Sequence, residues 1–312
     1  MLMAIAFFSL TIAWLALPFL PALRELTRGT DTAPLNVSPT ALGEIREFAR
    51  VCRTMVAENL GPALAAVTAS GEEEAARLPD GTPVRLLPGG GDFALLPAER
   101  EQGYTERVLA AAGDLALPAG ESFLGEIHTE GTLRCGEGVI LRAALAVGDL
   151  SLAPGCVSLR WLHADGELRA EEDCALYGRV SADVAMRLET DCRFERLGAP
   201  RILTGGAIDP PPPAPIKERR EIEPKDLPGF VEEAGGRVLL KGNLDLPAHV
   251  SVTADLVITG KLSLGEGSEI LGSVKARKGV VLERSAKVLG ALVSGESLRT
   301  GPHCRMDGPV LA

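Results

Sequence analysis

From Gly113 onward, apolar residues alternate with polar ones, and the alternation restarts about every eighteen residues. Five consecutive segments share this pattern, followed after a break by four more that begin at Gly242. In both sets the mostly apolar or small residues fall in odd columns of the segment, namely columns 3, 5, 9, 11, 15 and 17. Period-two alternation is typical of β-strands, whose odd residues face one side.

Eighteen residues divide into three strands of about six, so each segment predicts one triangular turn with its odd columns inside. One turn cannot bury its apolar side, but stacked turns can, with backbones about 4.8 Å apart. We therefore predict an all-β solenoid, a parallel triangular β-helix in two blocks, with glycines at columns 1 and 13 forming corners. The predicted core ladder in column 3 consists of Leu115, Leu133, Leu150, Leu168, Met186, Leu244, Leu262, Val280 and Leu298.

A second column contains cysteines at the same spacing. Because the sequence has no CxxC pair and no Cys/His cluster with zinc spacing, we expect no metal site. Stacked turns would place successive cysteine Cα atoms near 4.8 Å, which permits a disulfide, but a reducing cytoplasm favours free buried thiols. This predicted cysteine column, column 9, consists of Cys156, Cys174, Cys192 and Cys304.

The chain begins with an uncharged apolar run, MLMAIAFFSLTIAWLALPFLPAL, that is long enough to cross a bilayer as a helix. Arg24 and Arg28 follow the run, so the positive-inside tendency places the rest of the chain in the cytoplasm. A cleaved secretory signal is the alternative, but no basic residue precedes the run and the cleavage site is poor. We therefore predict a single-pass anchor in the inner (cytoplasmic) membrane.

The remaining segments complete the predicted organisation. Helical spacing of apolar residues predicts a juxtamembrane helix that ends at Gly61-Pro62, followed by mixed α/β or loop structure. Four consecutive prolines predict an extended linker between the blocks. The predicted units are the anchor at 1–23, the mixed region at 24–112, β-helix block 1 at 113–204, the Pro-rich linker at 205–234 and β-helix block 2 at 235–312.

Composition and motifs narrow the function. A net charge of −10 argues against a general nucleic-acid binder. The sequence has no P-loop, no HExxH and no complete GxSxG. A hexapeptide-repeat acyltransferase also folds into eighteen-residue triangular turns, but it needs a histidine as general base. All four histidines fall in even columns, so we expect exposed side chains: His128, His163, His249 and His303. We accordingly expect no enzymatic activity, no cofactor and no small-molecule substrate.

The eighteen-residue turns opening with G-x-L-x-[LA], the proline-rich flank and the membrane segment resemble the bactofilins, the polymer-forming cytoskeletal proteins of bacteria. The resemblance covers residues 113–204 and 235–312. It implies a right-handed triangular β-helix core and association between copies. Two features differ from the usual bactofilin pattern, namely the division into two blocks and the full membrane helix.

The end of the sequence suggests how copies would associate. The chain stops at GPVLA, partway through a turn, and an uncapped turn leaves apolar side chains and strand edges open. End-to-end stacking is a non-closing contact that builds filaments. We therefore expect a membrane-anchored bacterial structural protein that forms homo-oligomers or filaments. The alternative is a non-polymerising membrane scaffold that binds a protein partner through the solenoid face. The candidate self-association end consists of Met306, Val310 and Leu311.

Overall fold

The computed structural model describes Phe7 and residues 44–205, 219–234 and 236–312. Residues Ile45–Ala312 form one compact unit that contains both apolar cores described below. The predicted anchor at 1–23 lies outside the described residues, except for Phe7. Within the described residues, no helix has the length and apolar character needed to span a membrane.

The unit is an all-β parallel solenoid of about 11 turns, so the predicted β-helix architecture is confirmed. The strands before the block junction are β1 (Glu74–Arg77), β2 (Pro83–Leu87), β3 (Gly91–Asp92), β4 (Tyr104–Thr105), β5 (Val108–Ala111), β6 (Leu115–Leu117), β7 (Ser122–Thr129), β8 (Leu133–Cys135), β9 (Ile140–Ala146), β10 (Leu150–Leu152), β11 (Val157–Ala164), β12 (Glu167–Ala170), β13 (Ala175–Ala182), β14 (Ala185–Leu188), β15 (Arg193–Gly198) and β16 (Ile202–Thr204).

The strands of the second block follow the linker. They are β17 (Arg220–Glu221), β18 (Phe230–Ala234), β19 (Arg237–Leu240), β20 (Leu244–Leu246), β21 (Val250–Val252), β22 (Asp255–Ile258), β23 (Leu262–Leu264), β24 (Glu269–Ile270), β25 (Val274–Ala276), β26 (Gly279–Leu282), β27 (Lys287–Val288), β28 (Leu292–Ser294), β29 (Ser297–Thr300), β30 (Cys304–Met306) and β31 (Val310–Leu311).

In the described residues from 44 onward, two helices precede the solenoid, α1 (Glu47–Asn59) and α2 (Gly61–Ser70). Two shorter ones lie within it, α3 (Pro97–Gln102) and a 3-10 helix (Pro224–Asp226). The predicted juxtamembrane helix corresponds to α1, and α2 begins at the Gly61-Pro62 pair that was expected to end it. The solenoid also starts earlier than predicted, because β2 pairs in parallel with β5 and β5 pairs in parallel with β7.

The eighteen-residue spacing sets the strand register. Leu150 pairs with Leu133 in the turn before and with Leu168 in the turn after. Leu244, Leu262, Val280 and Leu298 form an equivalent ladder in a separate sheet of block 2. Every residue of the predicted core ladder is buried except Leu298, which is half-buried and packs against the core.

Glycine at column 1 has a different cause from the one predicted, except at Gly242, whose φ is 93°. Asp149, at column 2, accepts a hydrogen bond through Oδ1 from the backbone N–H of Glu167, one turn later, at 2.8 Å. A Cβ on Gly166 would lie 2.2 Å from that Oδ1 atom, and Gly166 does not have a positive φ. Glycine is therefore required for space. Asp114 with Thr132 and Asn243 with Lys261 repeat the arrangement.

In column 13, Gly178 has a φ of 74°, in accord with the predicted corner, but the left-handed backbone recurs most regularly at column 8, which the sequence pattern did not single out. The column 8 residue has a positive φ in all nine segments of the sequence repeat. Four of these residues are glycine, and the other five are aspartate or histidine, which are enriched in the left-handed region, or the small serine. These residues are Gly120, Gly138, Gly155, Asp173, Asp191, His249, Gly267, Ser285 and His303.

The two blocks meet through their last turns. Strand β16 pairs antiparallel with β30, and β15 pairs antiparallel with β31, so that Leu197 lies opposite Val310. Two of the three sheets therefore run through both blocks, while the third, made of β20, β23, β26 and β29, stays within block 2. Block 2 thus advances toward block 1, and a single apolar core continues through the junction.

This junction corrects the expectation of an open last turn. Met306 and Val310 are fully buried, and only Leu311 is partly exposed. The candidate self-association end is covered by block 1 of the same chain.

Candidate functional site

One outer face of block 1 lies under a pair of helices. Column 14 and column 16 side chains of this face point outward and are apolar at several turns, which makes a second core between the sheet and the helices. In block 2 the same columns include polar residues such as Asp255, Ser273 and Lys275. This difference between the blocks predicts that the face is covered in block 1 and open in block 2, a prediction that we did not make from the sequence. The buried members of this second core are Ala49, Cys52, Val56, Leu60, Leu64, Val67, Val84, Leu86, Val108, Ala110, Ala143, Leu145 and Trp161.

Two of the histidines lie on this face, and the expectation that they are exposed is wrong. His163 is buried, with Nδ1 2.8 Å from Ser181 Oγ and Nε2 3.1 Å from Asp165 Oδ1. His128 is also buried, and its Nε2 lies 2.8 Å from Glu130 Oε1. His249 and His303 are exposed at column 8, as their even column predicts.

The two carboxylates beside His163 form ion pairs with one arginine in α1 and one arginine just before it. Arg53 forms an ion pair with Asp165, and Arg46 forms one with Asp183 at 3.1 Å. Burial lowers the pKa of His163, and the two nearby guanidiniums lower it further, against the opposing effect of the two carboxylates. His163 is therefore neutral at pH 7, and the four charged groups hold the start of α1 against the solenoid.

The arrangement Ser181–His163–Asp165 has the order of a nucleophile, a base and an orienting acid. Catalysis also requires access for a substrate. Ser181 is 1% exposed and His163 is 3% exposed, so a substrate would have no access to either group in this structure. His163, Asp165 and Asp183 also bring three possible metal ligands within 4.8 Å, but both carboxylates already bind arginine. The contacts support a structural role for this cluster.

The predicted cysteine column faces the solenoid interior. Cys156, Cys174, Cys192 and Cys304 are free thiols, and all are buried except the half-buried Cys192. Each thiol donates to a backbone carbonyl of the preceding turn, such as Cys304 to Glu283 O at 3.0 Å. Hydrogen bonding with Cys156, together with burial, raises the pKa of Cys174 to about 12. That thiol is protonated and unreactive at neutral pH.

A partly buried polar network lies at the first end of the solenoid. Arg85 donates to both carboxylate oxygens of Glu73 and lies 4.5 Å from the centre of the Phe93 ring. Burial acts to raise the pKa of the Glu99 carboxyl group, but the hydrogen bonds that it accepts from Leu96 N–H, Thr105 Oγ1 and Arg107 Nε, together with the nearby Arg85 guanidinium, outweigh burial and lower the pKa. These residues come from several elements between 73 and 107, and nothing in their spacing predicts that they meet.

Comparison of the chain with protein families, with curated proteins and with solved structures found no match.

Proposed function

We propose that the chain is a self-associating structural protein of a bacterial inner membrane, similar in role to the bactofilins. The observation that supports this most is the continuous strand pairing from block 1 into block 2, which joins the two blocks into one continuous solenoid. The groups best suited to chemistry, around His163, hold a helix in place. The protein therefore acts by its shape and surfaces, without enzymatic activity or a cofactor.

The proposal includes features that come from the sequence alone. Residues 1–23 anchor the protein as a single transmembrane helix, and the solenoid lies on the cytoplasmic side, since arginines follow the apolar run. The solenoid is right-handed, as the resemblance to bactofilins implies. These features give a rigid body tethered to the inner face of the membrane.

Association does not use the candidate end at Met306, Val310 and Leu311 while the junction is closed. The other ends carry antiparallel hairpins, in which β1 pairs with β2 and β18 pairs with β19. Both hairpins belong to the same sheet and cap its two ends, whereas β3 and β17 are edge strands of the second sheet and β20 and β29 of the third. Capping of the largest sheet disfavours end-to-end stacking through it and favours association through a side of the solenoid. It is also the observation that supports the second candidate, a non-polymerising scaffold that binds another protein through the solenoid face.

Purification of the full chain in a mild detergent tests the proposal. Light scattering and electron microscopy should show oligomers or filaments that form without added nucleotide or metal, and cell fractionation should place the chain in the membrane. A chain that stays monomeric at high concentration would exclude self-association and leave the scaffold candidate. Recovery in the soluble fraction would exclude the anchor.

A further inference from the structure

The three outer faces of block 1 differ in polarity. One face is covered by α1 and α2. A second, formed by β8, β10, β12 and β14, presents Arg134, Ser151, Arg169 and Arg187 outward. The remaining face, at the first half of β7, β9, β11 and β13, presents apolar side chains outward and is not covered by any described element. We define the apolar strip as Ile140, Val157, Leu159, Ala175 and Tyr177.

The apolar strip is continuous along the solenoid. Val157 pairs with Ile140 in the turn before and with Ala175 in the turn after, so these side chains lie about 4.8 Å apart. Two residues further along the same turns come Leu159 and Tyr177, on the same side of the sheet. Leu159 is 43% exposed and Tyr177 is 39% exposed. Contiguous exposed apolar side chains of this kind mark interaction sites.

The charges beside the strip indicate what it binds. Arg142 lies in the turn before Leu159, and Glu195 lies in the turn after Tyr177. The turns that contain β11 and β13 each have one residue more than the turns that contain β9 and β15. The register of β11 therefore shifts against that of β9, and the register of β13 shifts against that of β15. The backbone of the strip is therefore nearly symmetric about its midpoint, with Arg142 beyond Leu159 at one end and Glu195 beyond Tyr177 at the other. The exposed Arg193 lies in the same turn as Glu195, beyond Ala175.

Such a surface is complementary to itself. If a second copy lies antiparallel across it, Arg142 faces Glu195 of the second copy and Leu159 faces Tyr177 of the second copy. The equivalent parallel arrangement would place Arg142 against Arg142, which is unfavourable. A two-fold contact of this type is closed and gives a dimer.

We propose that two copies of this chain associate side by side and antiparallel through the apolar strip, with Arg142 and Glu195 setting the orientation. This inference rests on the proposed self-associating function and names the surface used. The strip has far fewer residues than the roughly 20–30 per partner of standard interfaces, so we expect a dissociation constant on the order of micromolar. Anchoring both copies in one membrane would raise their effective concentration and favour the dimer.

Sedimentation velocity of the full chain in detergent tests the surface. The unaltered chain should show a monomer–dimer equilibrium, and L159E or Y177E should raise its Kd at least about tenfold. The matched control is S263E, which introduces the same charge at an outward position of β23 in block 2 and should leave Kd unchanged. Thermal unfolding of each variant shows that the fold is retained.

Charge reversal tests the orientation. R142E should weaken the dimer, because it places two acidic groups together, and the double variant R142E/E195R should restore it. Dimers that are unaffected by L159E and Y177E would overturn the surface while the proposed self-association stands. A chain that is monomeric up to about 100 µM would overturn both. Failure of the double variant to restore the dimer would overturn the antiparallel orientation.

Discussion

Ile202 lies directly opposite Met306 in an antiparallel strand pair that joins the last turn of block 1 to the last turn of block 2. Both side chains are fully buried. Next to them, Thr204 Oγ1 donates to Gly301 O at 3.1 Å, across 97 positions of the sequence. An open last turn would expose apolar side chains and leave backbone groups unpaired. The antiparallel pairing buries these side chains and pairs these backbone groups in both blocks.

The junction predicts that a charge at Met306 is strongly destabilising. M306E would bury a carboxylate without a partner, and we expect a loss of about 3 kcal/mol or more in the free energy of unfolding. The control is L311E in the same turn, where Leu311 is 37% exposed and a loss of at most about 1 kcal/mol is expected. Urea unfolding measures both. Equal stability of the two variants would mean that the last turn is open.

The repeat and the junction differ in how far the sequence could predict them. Column 3 leucines recur at a fixed spacing, so the ladder from Leu115 to Leu298 follows from period-two alternation. Met306 and Ile202 share no such spacing, since antiparallel pairing between blocks breaks the eighteen-residue rule. The sequence showed that the last turn was apolar but contained no local signal for the segment that covers it.

The same limit explains the error at His163. An even column does point outward, as predicted, but α1 lies on that face and buries the side chain. The position of a helix on a solenoid depends on contacts between residues more than one hundred positions apart, such as Arg53 and Asp165. The apolar Trp161 in a neighbouring even column was the signal that this face is covered.

The positive φ at column 8 predicts how substitutions to and from glycine change stability there. Gly138 has a φ of 68° and a Cβ added there would meet no atom within 4 Å, so G138A should lose about 1 kcal/mol of stability through backbone strain alone. Ser285 has a φ of 57°, and S285G should therefore be neutral or stabilising by up to about 1 kcal/mol. Thermal or chemical unfolding measures each.

G91A is the control for column 8. Gly91 has the same open space around it but no positive φ, so this substitution should change stability little. A loss in G91A equal to that in G138A would contradict the assignment of strain to the left-handed backbone.

The contact between Asp149 and Gly166 predicts a coupled pair of substitutions. D149A removes the acceptor for Glu167 N–H and should cost about 1 kcal/mol, whereas D149N keeps an acceptor and should cost less. G166A should cost more, because the new Cβ would lie 2.2 Å from Asp149 Oδ1. In D149A/G166A that collision disappears. In a double-mutant cycle the double variant should therefore lose less stability than the sum of the two single variants, by about 0.5 kcal/mol or more. Simple additivity of the two losses would contradict this explanation of the column 1 glycine.

His163 predicts how stability depends on pH. The folded protein lowers the pKa of its imidazole, mainly through burial, below the value of about 6.5 expected in the unfolded chain. Between the two values the unfolded chain binds more protons, so the free energy of unfolding falls as the pH drops below about 6.5 and is fully retained above it. H163Q should remove this part of the pH dependence, as measured by urea unfolding between about pH 5 and pH 8. H303Q alters an exposed histidine and should leave the dependence in place. Loss of the slope in H303Q, with its retention in H163Q, would show that the buried cluster beneath α1 is not its source.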